Sequence, residues 1–362
     1  MGPLFFGQTS FVEIQRKMYE EWKKEPYFGF RGFSRGVVLN NNDPLSQNLF
    51  NVDGHKWKSL RGKLTPAFTT GKIKQMFTLM GECVKNFERY LLNQVGEGKV
   101  FECRSLAAKY SLSCICSFAF GIHLITFDQE NNEFQVIARY LFIPSFYNLI
   151  KQMASVAAPK LYKFLGLTIM PKKYSNFFIN FIKETVERRK REKVVRNDVI
   201  DLLIDMDKNR QDFDFDSTDS LLASQAFVFF VAGFEAISAT ISFALYEMAI
   251  VPEIQEKIRS EILETLKKHN GQLSYDIINE MKYLIMVIYE TLRKNPPGLV
   301  LLRKSVKPFK LPGSKGILPT GSLVFISPYC LHYDEQYYPN SEIFDPERFK
   351  DDRKQSVFFI FW

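Results

Sequence analysis

A mainly α fold with minor β is expected from three features of the sequence. Apolar residues recur at helical spacing through most of the 362 residues. Prolines fall where those periodic stretches stop, not inside them. Only after residue 299 does the period change, where Pro319-Thr320-Gly321 separates two short β-like runs and 322–327 reads as a strand.

Taken in chain order, helices are expected near 11–24, 72–95, 103–120, 174–194, 218–249, 252–268 and 279–294. Val251-Pro252 breaks the long central helix, because the residue before a proline is pushed out of the helical region. Asn295-Pro296-Pro297-Gly298 halts the last helix, since two prolines cannot continue the hydrogen-bond ladder. No internal repeat or low-complexity linker interrupts the pattern, and residues 1–362 read as a single domain.

Composition narrows the function classes. With 46% hydrophobic and 24% charged residues the chain is ordinary globular material. Thirty-five Phe against three Trp suits a thick helical core or a roomy apolar pocket, and the core is the simpler destination. The excess of 48 Lys and Arg over 40 Asp and Glu gives +8. That favours an anionic membrane surface or an acidic partner protein, but the charge is too diffuse for nucleic acid, and no nucleic-acid recognition motif is present. The densest basic run, 183–193, reads first as a solvated helix face and second as a surface for a membrane or an acidic redox protein.

Five cysteines, Cys83, Cys103, Cys114, Cys116 and Cys330, form an odd set without paired spacing, which argues for reduced thiols on the cytosolic side. Cys114-Ile115-Cys116 lacks the spacing of a zinc site and is expected to pack inside a helix. His55, His123, His269 and His332 are scattered, so no metal-ligand set is assigned and zinc enzymes are disfavoured. Residues 1–12 lack a charged start followed by a long apolar run, and no signal peptide or anchor is expected there. The apolar stretch 226–244 is long enough to span a membrane but carries Glu235, and a charge at the bilayer centre costs roughly 2.5 to 3.5 kcal/mol. A buried core helix is the expectation.

Four short motifs carry chemistry. Trp57-Lys58-Ser59-Leu60-Arg61 sets an indole donor and a fixed cation one helical turn apart, able to reach one anionic ligand group; a partly buried Trp beside a surface Arg is the plainer alternative. Ala232-Gly233-Phe234-Glu235-Ala236 places a glycine inside a helix, at a cost of about 1 kcal/mol relative to Ala, so something approaches closely there: a flat macrocycle or a crossing helix. Glu290-Thr291-Leu292-Arg293 puts a carboxylate and a guanidinium on one helix face, expected to be buried and therefore fully paired. Arg348, in Phe344-Asp345-Pro346-Glu347-Arg348-Phe349, could complete that network, and Arg303 follows Pro297-Gly298-Leu299-Val300-Leu301-Leu302 on an extended segment as a second anion partner.

In this order the four motifs resemble the cytochrome P450 haem-thiolate monooxygenases. The wording of 64–72 and 225–235 is similar to the insect microsomal, xenobiotic-metabolising branch, and the resemblance covers essentially the whole chain. It implies the cytochrome P450 fold, haem b as cofactor and O2 as co-substrate. It also implies electrons from NADPH through NADPH-cytochrome P450 reductase, peripheral contact with the cytosolic face of the endoplasmic reticulum (microsomal) membrane, and a small hydrophobic substrate. By the same resemblance, Trp57, Arg61 and Arg303 would hold haem propionates, Gly233 would make room for the ring, and Glu235 would relay protons. Glu290, Arg293 and Arg348 would form the structural network behind the haem. Phe142, Phe146 and Phe227 suggest an apolar cavity.

Departures from the family pattern set a second expectation. Ala236 stands where the family usually has a threonine, and 29–38 joins the first helix directly to the loop before Trp57, omitting the first strands. The sequence ends at Trp362, soon after the Pro-Glu-Arg-Phe segment, before the cysteine loop expected to ligate iron. The chain as given is therefore expected to be inactive, with a truncated pseudoenzyme or partner-binding protein as the alternative to a monooxygenase.

Overall fold

A computed structural model describes residues 11–23, 44–52, 54–96, 98, 100, 102–122, 132–142, 151, 159–168, 170–208, 219–313 and 315–350. The helices expected from periodicity are all present, with ends shifted by a few residues. They are α1 (Phe11–Trp22), α3 (Thr70–Gly96), α4 (Cys103–Phe120), α7 (Lys172–Glu192), α9 (Asp219–Ile250), α10 (Pro252–Lys268) and α12 (Lys282–Lys294). Between them lie shorter helices that periodicity missed: α2 (Gly54–Leu64), α5 (Glu133–Phe142), α6 (Pro159–Phe164), α8 (Val199–Lys208), α11 (Tyr275–Ile278) and α13 (Pro328–His332).

Local chemistry sets several ends. The Glu102 carboxylate accepts the free amides of Arg104 and Ser105 at the start of α4, and Gly121 closes that helix at φ 69, a left-handed conformation that glycine adopts without a Cβ penalty. Pro252 opens α10 as a first-turn proline.

The strands pair in two antiparallel ribbons. β1 (Leu301–Lys304) pairs with β4 (Leu323–Ile326), Leu301 opposite Ile326, and β2 (Phe309–Lys310) pairs with β3 (Ile317–Leu318). Pro319-Thr320-Gly321 therefore joins strands of different ribbons and is not a hairpin turn. Ser305 holds it, accepting the Gly321 amide at its carbonyl (2.8 Å) and donating from its hydroxyl to the Pro319 carbonyl (2.6 Å).

The chain forms two compact units, residues 33–239 and residues 1–32 with 240–362. The first is built on an apolar cluster in which Phe120, Phe134, Phe178 and Phe230 are buried and meet ring to ring at centroid distances of 5.8–6.4 Å. While Phe50, Phe164 and Phe309 are exposed, part of the phenylalanine load thus goes into a core. Phe227 joins it, edge-on to Phe178 at 5.4 Å, while the Phe142 side chain and Phe146 lie outside the described residues. α4 is buried nearly all round from Leu106 to Phe120, with Cys114 and Cys116 inside as helix packing. Buried Gln225 clamps an irregular segment, accepting the Leu49 amide (3.1 Å) and donating to the Gln47 carbonyl (2.7 Å).

Two expectations need correction. The first turns of α9 are a core helix, with Leu221, Leu222, Ala226 and Phe230 buried, but Phe243, Leu245, Tyr246 and Ile250 are exposed. Burial follows what packs on a helix, and apolar composition alone does not decide it. By length and composition α9 could cross a membrane. The basic run 183–193 is not wholly a solvated face either. Arg189 is buried, and its two terminal nitrogens donate to both carboxylate oxygens of Asp198 at 2.6 Å, with Asp201 at 3.1 Å and the Phe120 carbonyl at 3.3 Å. Burial works against this guanidinium charge, yet the two aspartates outweigh it and raise the Arg189 pKa above its ordinary value.

Candidate functional site

In the unit containing residues 240–362, α12 delivers Glu290 and Arg293 one turn apart, each with no solvent exposure. The pairing is bidentate: Arg293 Nε donates to Glu290 Oε2 at 2.7 Å and Nη2 to Oε1 at 2.9 Å. The remaining donors reach backbone, Nη1 to the His332 carbonyl (2.7 Å) and Nη2 to the Ser341 carbonyl (2.8 Å). Glu290 Oε1 also accepts the Asp345 amide at 2.9 Å and faces Arg348 Nε at 3.5 Å. Arg348 spends its other nitrogens on the Pro339 and Asn340 carbonyls, at 2.6 and 2.8 Å. Glu290, Arg293 and Arg348 are thus brought together, and the network ties α12 to the chain from 332 to 348. Taking two charges out of water is offset only by close pairing and further hydrogen bonds; Glu290 and Arg293 have both, while Arg348 Nε is buried without a hydrogen bond, 3.5 Å from Glu290 Oε1.

Sequence reasoning missed His332 in this network. It is fully buried, and its Nδ1 lies 3.0 Å from the Arg293 carbonyl. A carbonyl can only accept, so Nδ1 carries the proton.

In the unit of residues 33–239, Trp57 and Arg61 sit one turn apart on α2, both exposed, with the guanidinium carbon 5.1 Å from the indole ring centre. Their donors are open to an anionic group. Arg303, on β1, is also exposed, and its Nη1 donates to the Leu302 carbonyl at 2.9 Å.

On α9, the neighbour that the absent Cβ of Gly233 admits is Ile115 of α4: a methyl group built there would lie 2.6 Å from Ile115 Cδ1. The crossing of α4 and α9 accounts for this glycine without a ligand. Glu235 is half-buried and held by Arg104, whose Nη2 donates to Oε1 at 2.7 Å; the arginine was not foreseen, because 131 residues separate the pair. Ala236 is half-buried beside it. Ser238 donates from its hydroxyl to the Glu235 carbonyl at 3.1 Å, a contact within the helix that turns it from the position of Ala236.

The chemistry of these residues fits a haem in part: Trp57 and Arg61 in residues 33–239, and separately Arg303 in the other unit, carry exposed donors of the kind a propionate takes. No cysteine among the described residues suits an axial position: Cys83, Cys114, Cys116 and Cys330 are buried among side chains, and Cys103 is half-buried at the start of α4. Nor does any His, Cys, Asp and Glu group among the described residues form a metal site.

Comparison with known proteins gives the context for this arrangement. The family model described as cytochrome P450 matches residues 4–360, across both units. The chain is 37% identical over 319 residues to a probable cytochrome P450 6a13 of Drosophila melanogaster, covering 87% of this chain and 63% of that protein. It is 37% identical over 347 residues to cytochrome P450 6k1 of Blattella germanica, covering 90% and 66%. To a probable cytochrome P450 6a23 of Drosophila melanogaster it is 38% identical over 325 residues, covering 88% and 64%. The chain thus spans slightly under two thirds of the length of these relatives. It belongs to the cytochrome P450 family and is of the insect type.

Proposed function

We propose that these residues are the greater part of a haem-dependent monooxygenase that oxidises small apolar compounds, taking electrons from NADPH through NADPH-cytochrome P450 reductase at the cytosolic face of the endoplasmic reticulum membrane. The observation that carries the reading is the pairing, in one P450-family chain, of an open Trp57 and Arg61 anion site with the closed Glu290, Arg293 and Arg348 network. Haem, when bound, supplies the oxidative chemistry, and the protein supplies binding and proton handling.

Trp57, Arg61 and Arg303 hold propionates in this proposal. The buried network keeps residues 332–348 in one conformation for whatever packs on them. Glu235 is the proton carrier. Its ion pair with Arg104 is partly exposed, 54% and 31% for the two side chains, and such pairs are worth only about 0–1 kcal/mol, so the carboxylate can leave the arginine to take up or give up a proton.

The test is the complete transcript followed by expression of the protein it encodes. A reading frame that supplies a glycine-rich cysteine loop, with a thiolate-type Soret band in the reduced, carbon-monoxide-bound protein, is the expected result. A complete protein that binds haem without that band is no monooxygenase of this type, and a partner-binding pseudoenzyme would replace the reading.

A further inference from the structure

Side-chain contacts fix the register of α3 against α4. Lys109 Nζ donates to the Tyr90 hydroxyl at 3.1 Å, the Phe87 and Tyr110 rings lie 5.2 Å apart, and Cys83 Sγ is 3.8 Å from the Ser113 carbonyl oxygen. Residue numbers fall along α3 as they rise along α4, so the helices are antiparallel. Cys83 lies one turn from Phe87 on α3 and Cys114 one turn from Tyr110 on α4, which places the two thiols opposite each other. Helices packed about 8–10 Å apart, with Cα atoms about 2.3 Å from each axis, bring facing Cα atoms to within about 6 Å. A disulfide spans Cα separations of about 4.4–6.8 Å.

We propose that Cys83 and Cys114 are a peroxide-responsive dithiol that closes reversibly to a disulfide joining α3 to α4. Chemistry divides the roles. The Cys83 thiol is drawn down to about 6, first by its hydrogen bond with Cys114 and then, against burial, by Ser113 and Ser117. Cys114 is pushed up by the same shared bond and by burial. Of the two, Cys83 is the one the shared bond favours as the attacking sulfur once it gives up its proton, and Cys114 is the resolving thiol. Both sulfurs are buried, Cys83 at 5% and Cys114 at 2% exposure, so peroxide reaches Cys83 by local opening of α3, a helix in which Cys83 is the one buried residue.

The Cys83 thiolate attacks one peroxide oxygen, breaking the O–O bond to give a sulfenic acid and hydroxide, which takes a proton from solvent. The Cys114 sulfur then attacks Cys83 Sγ, forming the S–S bond and expelling the sulfenic oxygen as water with the Cys114 proton. Two thiols are oxidised by two electrons and one hydrogen peroxide is reduced to two waters. In a reducing cytosol the bond is transient, as expected of a sensing pair. Cys116, two residues beyond Cys114, points to another face of α4 and is fully buried.

The test uses the 362-residue chain, folded and exposed to hydrogen peroxide, then denatured, alkylated and mapped by mass spectrometry. We expect loss of two alkylatable thiols, a peptide linking Cys83 to Cys114 that dithiothreitol releases, and full alkylation of Cys103, Cys116 and Cys330. In Cys114→Ser, peroxide should leave a dimedone-trappable sulfenic acid on Cys83. In Cys83→Ser, Cys114 should stay reduced at the same dose. A linkage through any other cysteine, or an alkylated Cys83 after peroxide, overturns the proposal, and the wild-type map decides it even where a variant folds poorly.

Discussion

Residues 33–239 and residues 240–350 are held together by different means. The first region rests on stacked and edge-on phenylalanines, with Phe120, Phe178 and Phe230 at 0–1% exposure in a continuous apolar cluster. The second has a small apolar cluster around Ile254, Ile258, Val287 and Phe344, and its most completely buried side chains include the charged Glu290 and Arg293. An apolar core is forgiving, because dispersion and burial vary smoothly with volume. A buried ion network is not, because Glu290 and Arg293 bind fixed partners and losing one strands another. The two regions should therefore differ most in how they respond to conservative change.

The largest effect is expected at Arg293. Arg293→Ala leaves the buried Glu290 with only the Asp345 amide and the Arg348 guanidinium at 3.5 Å, a loss of about 3–5 kcal/mol. Arg293→Lys should cost nearly as much, since an ammonium cannot reproduce the forked contact to both Glu290 oxygens and two carbonyls. Denaturant unfolding, or soluble yield where the protein no longer folds, measures it. A lysine variant of near wild-type stability would break the contrast between the regions.

Phe178 supplies the other half of the comparison. Phe178→Ala should cost about 3–5 kcal/mol through the cavity left among Phe120, Phe134 and Phe230, whereas Phe178→Leu should cost about 1 kcal/mol because most of the apolar volume remains. Equal losses for Leu and Ala, read from the same unfolding midpoints, would mean that the ring geometry is as exacting as the ion network.

A smaller effect tests the polar clamp within the apolar region. Gly121 has φ 69, and a Cβ there would lie 2.6 Å from Arg189 Nη2. An L-residue in the left-handed region costs about 1–2 kcal/mol, and the Arg189 contacts to Asp198 must shift as well. Gly121→Ala should therefore lower stability by about 2 kcal/mol. Arg189→Met by itself strands Asp198, so the clash is read as a coupling: Gly121→Ala should cost less in the Arg189→Met background than in the wild type. An equal cost in both backgrounds would locate it in the backbone alone.

The same difference decides what the sequence could reveal. The long helices were legible because their apolar spacing repeats over several turns, and the Glu290 to Arg293 spacing displayed its pairing directly. α8 was not legible: Val199, Ile200 and Ile204 are β-branched and the segment is ten residues long, so neither propensity nor period marks a helix that burial against the core imposes. Arg189 hid inside a run of exposed cations, since only the fold brings Asp198 to it. Gly233 signalled a close approach, but its neighbour Ile115 lies 118 positions earlier and had no local sign.

The smallest stability effect is expected at Trp57 and Arg61, and there the comparison can be sharpened. Arg61 is exposed and lies over the Trp57 ring, so Arg61→Ala should change unfolding free energy by no more than about 0.5 kcal/mol, whereas Trp57 is only 39% exposed and Trp57→Ala should cost somewhat more, about 1 kcal/mol. Their proposed work lies elsewhere, in donating to an anionic carboxylate of the cofactor. Arg61→Ala should weaken haem uptake in a titration of the chain, and Arg61→Lys should recover it only in part, because a point charge replaces a planar fork. Unchanged haem affinity in both alanine variants would remove these residues from the cofactor site. A stability loss comparable to that of Arg293→Ala would instead make α2 a structural element of the same kind as α12.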